Sequence, residues 1–196
     1  MSLKIGGSRI LSLLLTILLF SNAAVASSYQ YIRLGNKADS TASPVAGTAM
    51  MGGGKDLDEA FRWLCKKASG GDFLVLRARG DDDYNSYVKG MCKLNSVATL
   101  IIPDSAAAQD PAVADLIRHA EAVFIAGGNQ ARYVMFWKGT PVEEAINANI
   151  VSGKPIGGTS GGLAVLGEFA YGCLKDIETK MTWLPPMCCP IPTMSG

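Results

Sequence analysis

Residues 154–162 read K-P-I-G-G-T-S-G-G, and this stretch decides the fold of the chain. A short apolar strand end, Pro155-Ile156, runs into the segment 158–162, which matches G-x-S-x-G. The pattern is typical of a sharp strand-to-helix turn that lifts one serine clear of a sheet. Ser160 is therefore a candidate nucleophile, and the N–H group of Gly161, at the start of the next helix, is a candidate oxyanion donor. Because short matches arise by chance in a chain with 22 glycines, an ordinary packing turn is the alternative.

From Ala46 onward, apolar strand-like runs alternate with amphipathic helical segments. This spacing predicts parallel βαβ units, so we expect an α/β fold, a parallel-sheet sandwich with helices on both faces. The expected strands lie at 45–51, 73–78, 97–102, 122–126 and 155–156. The expected helix starts, each marked by a capping residue, lie at Asp56, Asp110 and Thr140.

Three glycine-rich turns follow predicted strands, at 52–54, 127–128 and 158–162. Ligand sites in parallel sheets lie beyond the carboxyl ends of the strands, so the three turns are expected to border one crevice. The first turn fits neither the dinucleotide-binding pattern nor the phosphate-loop pattern, which disfavours a nucleotide. It is either a second source of oxyanion donors, as in the glycine loops of serine hydrolases, or a tight turn only.

The chain contains one histidine, His119, which is the first side chain to consider as a base for Ser160. It lies at the predicted end of a helix, where a partner for the helix dipole is the simpler interpretation. The acidic run 81–83 lacks the spaced oxygen ligands of a calcium loop and has no histidine nearby. A solvated loop and helix cap is favoured there, so we expect no metal and no cofactor.

Five cysteines form no C-x-x-C pair and no regular framework; they are Cys65, Cys92, Cys173, Cys188 and Cys189. In a secreted chain of this size, which the N-terminal segment described next predicts, they indicate at most one or two disulfides, or mostly buried thiols. Cys65 lies at a core-facing position of a predicted helix and is expected to be a buried, inert thiol.

Residues 1–26 have the pattern of a secretory signal peptide. A positively charged start and the apolar run 10–20 precede Ala24-Val25-Ala26, which fits cleavage after Ala26. An uncleaved anchor is the alternative, although the run is short for a membrane span. We expect a secreted protein without a stable membrane anchor after signal removal. Its expected parts are a flexible lead-in at 27–45, one α/β domain at 46–172 and an irregular tail at 173–196.

Three segments of the chain resemble the cyanophycinase and dipeptidase E family of serine peptidases. They are M-G-G-G at 51–54, F-I-A-G-G-N-Q at 124–130 and P-I-G-G-T-S-G-G at 155–162, in the order found in the family. The resemblance covers roughly 46–172 and implies a flavodoxin-like, class I glutamine-amidotransferase-like fold. It also implies exopeptidase or dipeptidase activity without a metal, and some family members cleave aspartyl-linked dipeptides.

The resemblance implies roles for residues in all three segments. Ser160 would be the nucleophile and the N–H group of Gly161 an oxyanion donor, although the family usually has alanine at the latter position. Asn129 stands where aspartate is common in the family. The other implied site residues, which would supply oxyanion donors or line the substrate pocket, are Gly53, Gly54, Gly128, Asn129 and Gln130.

Family members place a catalytic histidine and an acidic partner well beyond the serine, in an arginine-rich segment. No histidine follows Ser160 here, so the resemblance implies a C-terminally truncated form that lacks part of the domain. The hypothesis is a serine-type peptidase of impaired activity that forms an acyl-enzyme at Ser160. Its expected substrate is a peptide or dipeptide, with aspartyl-linked dipeptides as candidates.

Two alternatives to a peptidase are kept at this point. One is a peptide-binding protein without catalysis, and the other, less favoured, is an α/β-hydrolase esterase that shares only the serine turn. A formal net charge of +1 argues against a nucleic-acid partner. A homodimer is left open.

Overall fold

The computed structural model describes residues 28–167, 169–171 and 190–192. Within these ranges six strands form the main sheet: β1 (Gln30–Gly35), β2 (Thr48–Met51), β3 (Asp72–Arg77), β4 (Ser96–Ile101), β5 (Ala122–Ile125) and β6 (Ile156–Thr159). Their order across the sheet is β1-β4-β3-β5-β6-β2. All neighbouring strands are parallel except β1 and β4. The predicted α/β fold is thus confirmed, with one antiparallel strand at the edge of the sheet.

Helices cover both faces of this sheet. They are α1 (Asp58–Lys67), α2 (Asp83–Met91), α3 (Ser105–Ala108), α4 (Pro111–His119), α5 (Gln130–Trp137), α6 (Pro141–Val151) and α7 (Gly161–Ala164). Helices α1 and α2 pack on one face, and α3 to α6 pack on the other. Successive side chains of β3 divide between the two cores, because strand residues point alternately to opposite sides: Phe73 and Val75 join one, Leu74 and Leu76 the other.

Two of the three predicted helix starts are confirmed. Asp110 and Thr140 cap α4 and α6, and each side chain accepts a backbone N–H group of the first turn. The prediction for Asp56 is wrong, because α1 begins at Asp58 and has no side-chain cap. Asp56 instead accepts hydrogen bonds from two hydroxyl groups outside the helix, as described below.

The segment 27–45 is not a flexible lead-in throughout, because it contains strand β1. This strand pairs antiparallel with β4, from Gln30 opposite Ile101 to Gly35 opposite Ser96. An edge strand that is only half-buried needs few apolar residues, so its composition is similar to that of a loop. The polar sequence of the segment therefore did not indicate a strand.

The carboxylate of Asp72, at the start of β3, holds the chain around β1 in place. It accepts hydrogen bonds from Arg33 Nη2 at 2.9 Å, Asn95 Nδ2 at 2.7 Å, Ser96 Oγ at 2.5 Å and the N–H group of Ser40 at 3.1 Å. Burial raises the pKa of Asp72, but the hydrogen bonds from Ser96 and Asn95 and the charge of Arg33 outweigh burial. The pKa of this carboxyl therefore lies below its ordinary value.

We expect Asp72→Asn to lower the free energy of unfolding near neutral pH. In acid the decrease should be smaller. A carboxyl with a lowered folded-state pKa stabilises the fold above its unfolded pKa of about 3.9, and this contribution is lost as the pH falls through the folded value. Urea unfolding of both proteins between about pH 6 and pH 3 measures this. Asp115→Asn, which removes an exposed carboxylate, is the control. A difference between wild type and Asp72→Asn that stays constant with pH would contradict the assignment.

Cys65 is buried, as expected, but it is not a free thiol. Its sulfur forms a disulfide with Cys92, which joins the last turn of α1 to the residue after α2. The expectation of an inert thiol is wrong because the core-facing position predicted burial and could not reveal a second cysteine brought alongside by α2. Cys173, Cys188 and Cys189 lie outside the described residues.

A second, two-stranded sheet pairs β7 (Phe169–Tyr171) antiparallel with β8 (Pro190–Pro192). The expected irregular tail is therefore wrong for the three residues of β8. The predicted signal peptide and the rest of the tail lie outside the described residues. Of the helices in the described part of the chain, none combines the length and apolar character needed to cross a bilayer.

Candidate active site

Ser160 lies directly after β6, at the carboxyl edge of the sheet, and is exposed. Its backbone has φ 50° and ψ −121°, a conformation that residues other than glycine rarely adopt. Such a conformation costs on the order of 1–3 kcal/mol and persists only where the surroundings impose it. Here the N–H group of Ser160 donates to the carbonyl of Met51 at 3.1 Å, and its own carbonyl accepts from Ala164 at 3.0 Å. The strained strand-to-helix turn expected from the sequence is present.

The glycines around Ser160 are required by close backbone packing. A Cβ atom on Gly158 would lie 2.8 Å from the carbonyl of Gly162, and one on Gly161 would lie 2.2 Å from the carbonyl oxygen of Gly128. Alanine at Gly161, the usual family residue, would therefore require the turn around Gly128 to move. Close packing explains the glycines, but it gives no reason for the positive φ of the serine between them.

The loop Gly52–Gly54 borders the serine turn. Met51, which precedes the loop, accepts the hydrogen bond from Ser160, and the Thr159 hydroxyl lies 3.2 Å from the carbonyl oxygen of Gly52. Gly54 has φ 111°, which favours glycine. A Cβ atom on any of the three glycines would meet nothing within 4 Å, so the loop faces open space.

The turn after β5 forms the other border of the site. A Cβ atom on Gly127 would lie 3.5 Å from the Cβ atom of Ser160, so this turn passes beside the candidate nucleophile. Asn129 caps α5, since its side-chain oxygen accepts from the N–H group of Ala131 at 2.9 Å. Gln130, which the family resemblance places at the substrate pocket, is the first residue of α5.

His119 lies at the opposite edge of the sheet from Ser160. It ends α4, just before β5 begins, and it lines a small cavity with Asp72 and Ser96, the first residues of β3 and β4. Its Nδ1 atom is 2.7 Å from the carbonyl oxygen of Asp115 in its own helix. The fold therefore does not bring the sole histidine of the chain to the candidate nucleophile.

Sequence reasoning missed a group of polar side chains beside the serine turn. Asp56 Oδ1 accepts from the Thr159 hydroxyl at 2.7 Å, and Asp56 Oδ2 accepts from the Tyr84 hydroxyl at 2.5 Å. Burial, followed by the hydrogen bond to Asp56 and the charge of that carboxylate, raises the pKa of Tyr84. A signal was available: Asp56 follows the first glycine turn, and Tyr84 follows β3 on the next helix, so both lie at the carboxyl edge.

A cleft of about 430 Å³ opens next to this group. Arg77, the last residue of β3, lies over the ring of Tyr84, and its Nη1 atom donates to the backbone and carboxylate oxygens of Asp81. Its Nε atom is buried and has no hydrogen-bond partner in the described part of the chain. The cleft is lined by Lys55, Asp56, Arg77, Asp83, Tyr84 and Tyr87. Among the described residues no cluster of three or more His, Cys, Asp or Glu side chains is placed to hold a metal ion.

Comparison with solved structures finds 12 matching chains. One is the crystal structure of a peptidase from an acI-B1 Actinobacterium, with 18% sequence identity and a TM-score of 0.50. The match covers 66% of this chain and 59% of that chain, so this chain spans less than two thirds of the length of the solved relative. At this identity the likeness shows a shared fold. No curated protein matches the chain.

The sequence match is more specific than the structural one. The model of Peptidase family S51 matches residues 49–173, which include all three glycine-rich turns, the third of which contains Ser160. The resemblance to the cyanophycinase and dipeptidase E family is confirmed by this match, and the esterase alternative has no support from it. The chain belongs to Peptidase family S51.

Proposed function

We propose that the protein is a serine-type peptidase in which Ser160 attacks a peptide carbonyl and forms an acyl-enzyme. The observation that carries the proposal is the backbone of Ser160, with φ 50° at the carboxyl end of β6. A strained turn of this kind exposes the serine Oγ at the top of a sheet, where ligands of α/β folds bind. Membership in a peptidase family makes peptide bonds the natural target.

The oxyanion of the tetrahedral intermediate would be held by backbone N–H groups. Gly161 is the first residue of α7, and the N–H groups at the start of a helix have no acceptor within it. The loop that contains Gly53 and Gly54 borders the other side of the serine turn. Donors fixed in this way before the reaction stabilise developing negative charge without reorganisation.

The substrate would bind across the carboxyl edge of the sheet, with Gly128, Asn129 and Gln130 along one side. A peptide or dipeptide is the proposed substrate, with aspartyl-linked dipeptides as candidates, and neither a metal nor a cofactor takes part. Secretion after cleavage at Ala26 is proposed together with this activity. The disulfide between Cys65 and Cys92 supports secretion, because such bonds persist mainly in oxidising compartments.

Hydrolysis by this chain alone should be slow. Its sole histidine, His119, lies at the far edge of the sheet and cannot take the proton of Ser160 in this structure. Loss of the base from a serine triad lowers kcat by roughly 10⁶-fold, and the remaining catalysis comes from the oxyanion donors and substrate binding.

Covalent labelling with a fluorophosphonate probe tests the proposal, because it reports on the serine without requiring turnover. We expect slow labelling of the wild-type protein that is confined to Ser160 by peptide mapping and absent from Ser160→Ala. Ser105→Ala, which removes an exposed helical hydroxyl, is the control and should label like the wild type. Absence of labelling at Ser160 in the wild type would refute the nucleophile, and rapid dipeptide turnover by this chain would refute the impaired activity.

The far position of His119 also favours a second candidate, a protein that binds peptides at the same crevice without cleaving them. Isothermal titration with aspartyl dipeptides distinguishes the two. Saturable binding together with an unreactive Ser160 would support the binding protein. Slow, Ser160-dependent acylation would support the peptidase.

A further inference from the structure

We infer that Asp56 is a positioning residue that fixes the loop Gly52–Gly54 against the serine turn. The inference rests on the proposed function, in which this loop helps to hold the oxyanion. Asp56 with its two hydroxyl donors, Tyr84 and Thr159, is called the Asp56 bridge below. Neither the family match nor the motif around Ser160 assigns a role to it.

The Asp56 bridge joins three separate parts of the chain. One carboxylate oxygen accepts from Thr159, the last residue of β6, at 2.7 Å, and the other accepts from Tyr84 on α2 at 2.5 Å. Hydrogen bonds to an ionised carboxylate are shorter and stronger than those between neutral groups. Thr159 is buried, with 4% of its surface exposed, so its hydroxyl has little access to water as an alternative partner.

The glycine loop depends on its two ends for its shape. Its three glycines have no side chains, and positions for their Cβ atoms meet no neighbour within 4 Å, so packing does not fix the loop. At one end, the Met51 carbonyl accepts from the N–H group of Ser160 at 3.1 Å. At the other end, Asp56 binds Thr159. Both ends are therefore attached to consecutive residues of the serine turn. The Asp56 bridge supplies the attachment at the second end, and at the first end the carbonyl oxygen of Gly52 also lies 3.2 Å from the Thr159 hydroxyl.

Helix capping does not account for Asp56. Helix α1 begins at Asp58, and no side chain caps its N-terminus. A nearby aspartate–tyrosine pair serves for comparison. Asp58 accepts from the Tyr87 hydroxyl at 2.6 Å, between α1 and α2, but this pair is exposed. No hydrogen bond joins that pair to the serine turn among the described contacts. Tyr87 is thus a matched control for Tyr84.

The experiment uses two pairs of variants in the full chain. Thr159→Val keeps the shape of the side chain but removes the hydroxyl, and with it the contacts to both Asp56 and Gly52, whereas Thr159→Ser keeps the hydroxyl. Tyr84→Phe removes a donor to Asp56, whereas Tyr87→Phe removes the equivalent donor to Asp58. None of these variants changes the sequence around Lys55, which lies between the glycine loop and Asp56.

Two rates are measured for each variant. The first is fluorophosphonate labelling of Ser160, and the second is native-state cleavage after Lys55 by a lysine-specific protease. We expect Thr159→Val and Tyr84→Phe to slow labelling by roughly tenfold to a hundredfold, because displaced groups lose catalytic alignment. They should also speed cleavage after Lys55 severalfold while cleavage at other lysines is unchanged, since a loss of global stability would raise all sites together.

Thr159→Ser and Tyr87→Phe should stay within about twofold of the wild type in both rates, because the first keeps the donor to Asp56 and the second removes a donor to Asp58 only. Equal behaviour of the two members of each pair would overturn the inference. If wild-type Ser160 proves unreactive, the proposed function fails, and cleavage after Lys55 alone then decides whether the Asp56 bridge holds the loop.

Discussion

Gly162→Ala is expected to destabilise the protein by about 3 kcal/mol or more, since overpacking against fixed backbone lies at the upper end of its usual cost. A Cβ atom at this position would lie 2.1 Å from the carbonyl oxygen of Ile125 and 2.6 Å from that of Ala126. Both atoms belong to the backbone at the end of β5, so no side chain can rotate away. Relief requires α7 to move from the sheet, and Ser160 at its start must move with it.

Urea unfolding measures this effect, and Gly90→Ala provides the control. Gly90 is exposed in α2, and a Cβ atom there would meet nothing within 4 Å. Alanine at that position should stabilise the fold by roughly 0.5–1 kcal/mol, because glycine loses more conformational freedom in a helix. Labelling of Ser160 should fall in Gly162→Ala under conditions in which the variant is still folded. Unchanged stability of Gly162→Ala would contradict the close contact between α7 and β5.

The fold was largely predictable because its signals are local. Apolar runs gave β3, β4 and β5, and capping residues followed by proline gave the starts of α4 and α6. Strand β1 was not predicted from the sequence. It is an edge strand, stabilised by its pairing with β4 and by the ion pair of Arg33 with Asp72, and neither interaction requires an apolar sequence pattern. The Cys65–Cys92 bond was not predicted either, because the pairing depends on how α1 and α2 pack against each other.

The candidate site likewise combines local features that the sequence predicts with long-range contacts that it does not. The turn around Ser160 was predictable, because strain and close packing require glycines that the sequence displays directly. Asp56 suggested a helix cap, since an aspartate followed by a glutamate three residues later fits that pattern. Its contacts to Thr159 and Tyr84 link residues far apart in the chain, so only the assembled sheet reveals them.

Removal of the disulfide is the other change with a large expected effect. The bond joins Cys65 and Cys92, separated by 27 residues, and the closed loop includes all of β3. In the chain-entropy account, a closure of this length restricts the unfolded chain and contributes about 3.5 kcal/mol. The double variant Cys65→Ala/Cys92→Ala should therefore lose about that much free energy of unfolding in urea.

Unfolding in the presence of a reductant separates the bond from the packing of the two side chains. The wild type should lose stability when the reductant is present, and the double variant, which lacks this bond, should lose less. A wild type indifferent to reductant would mean that the thiols are unpaired, and the support that this bond gives to a secreted location would then be lost.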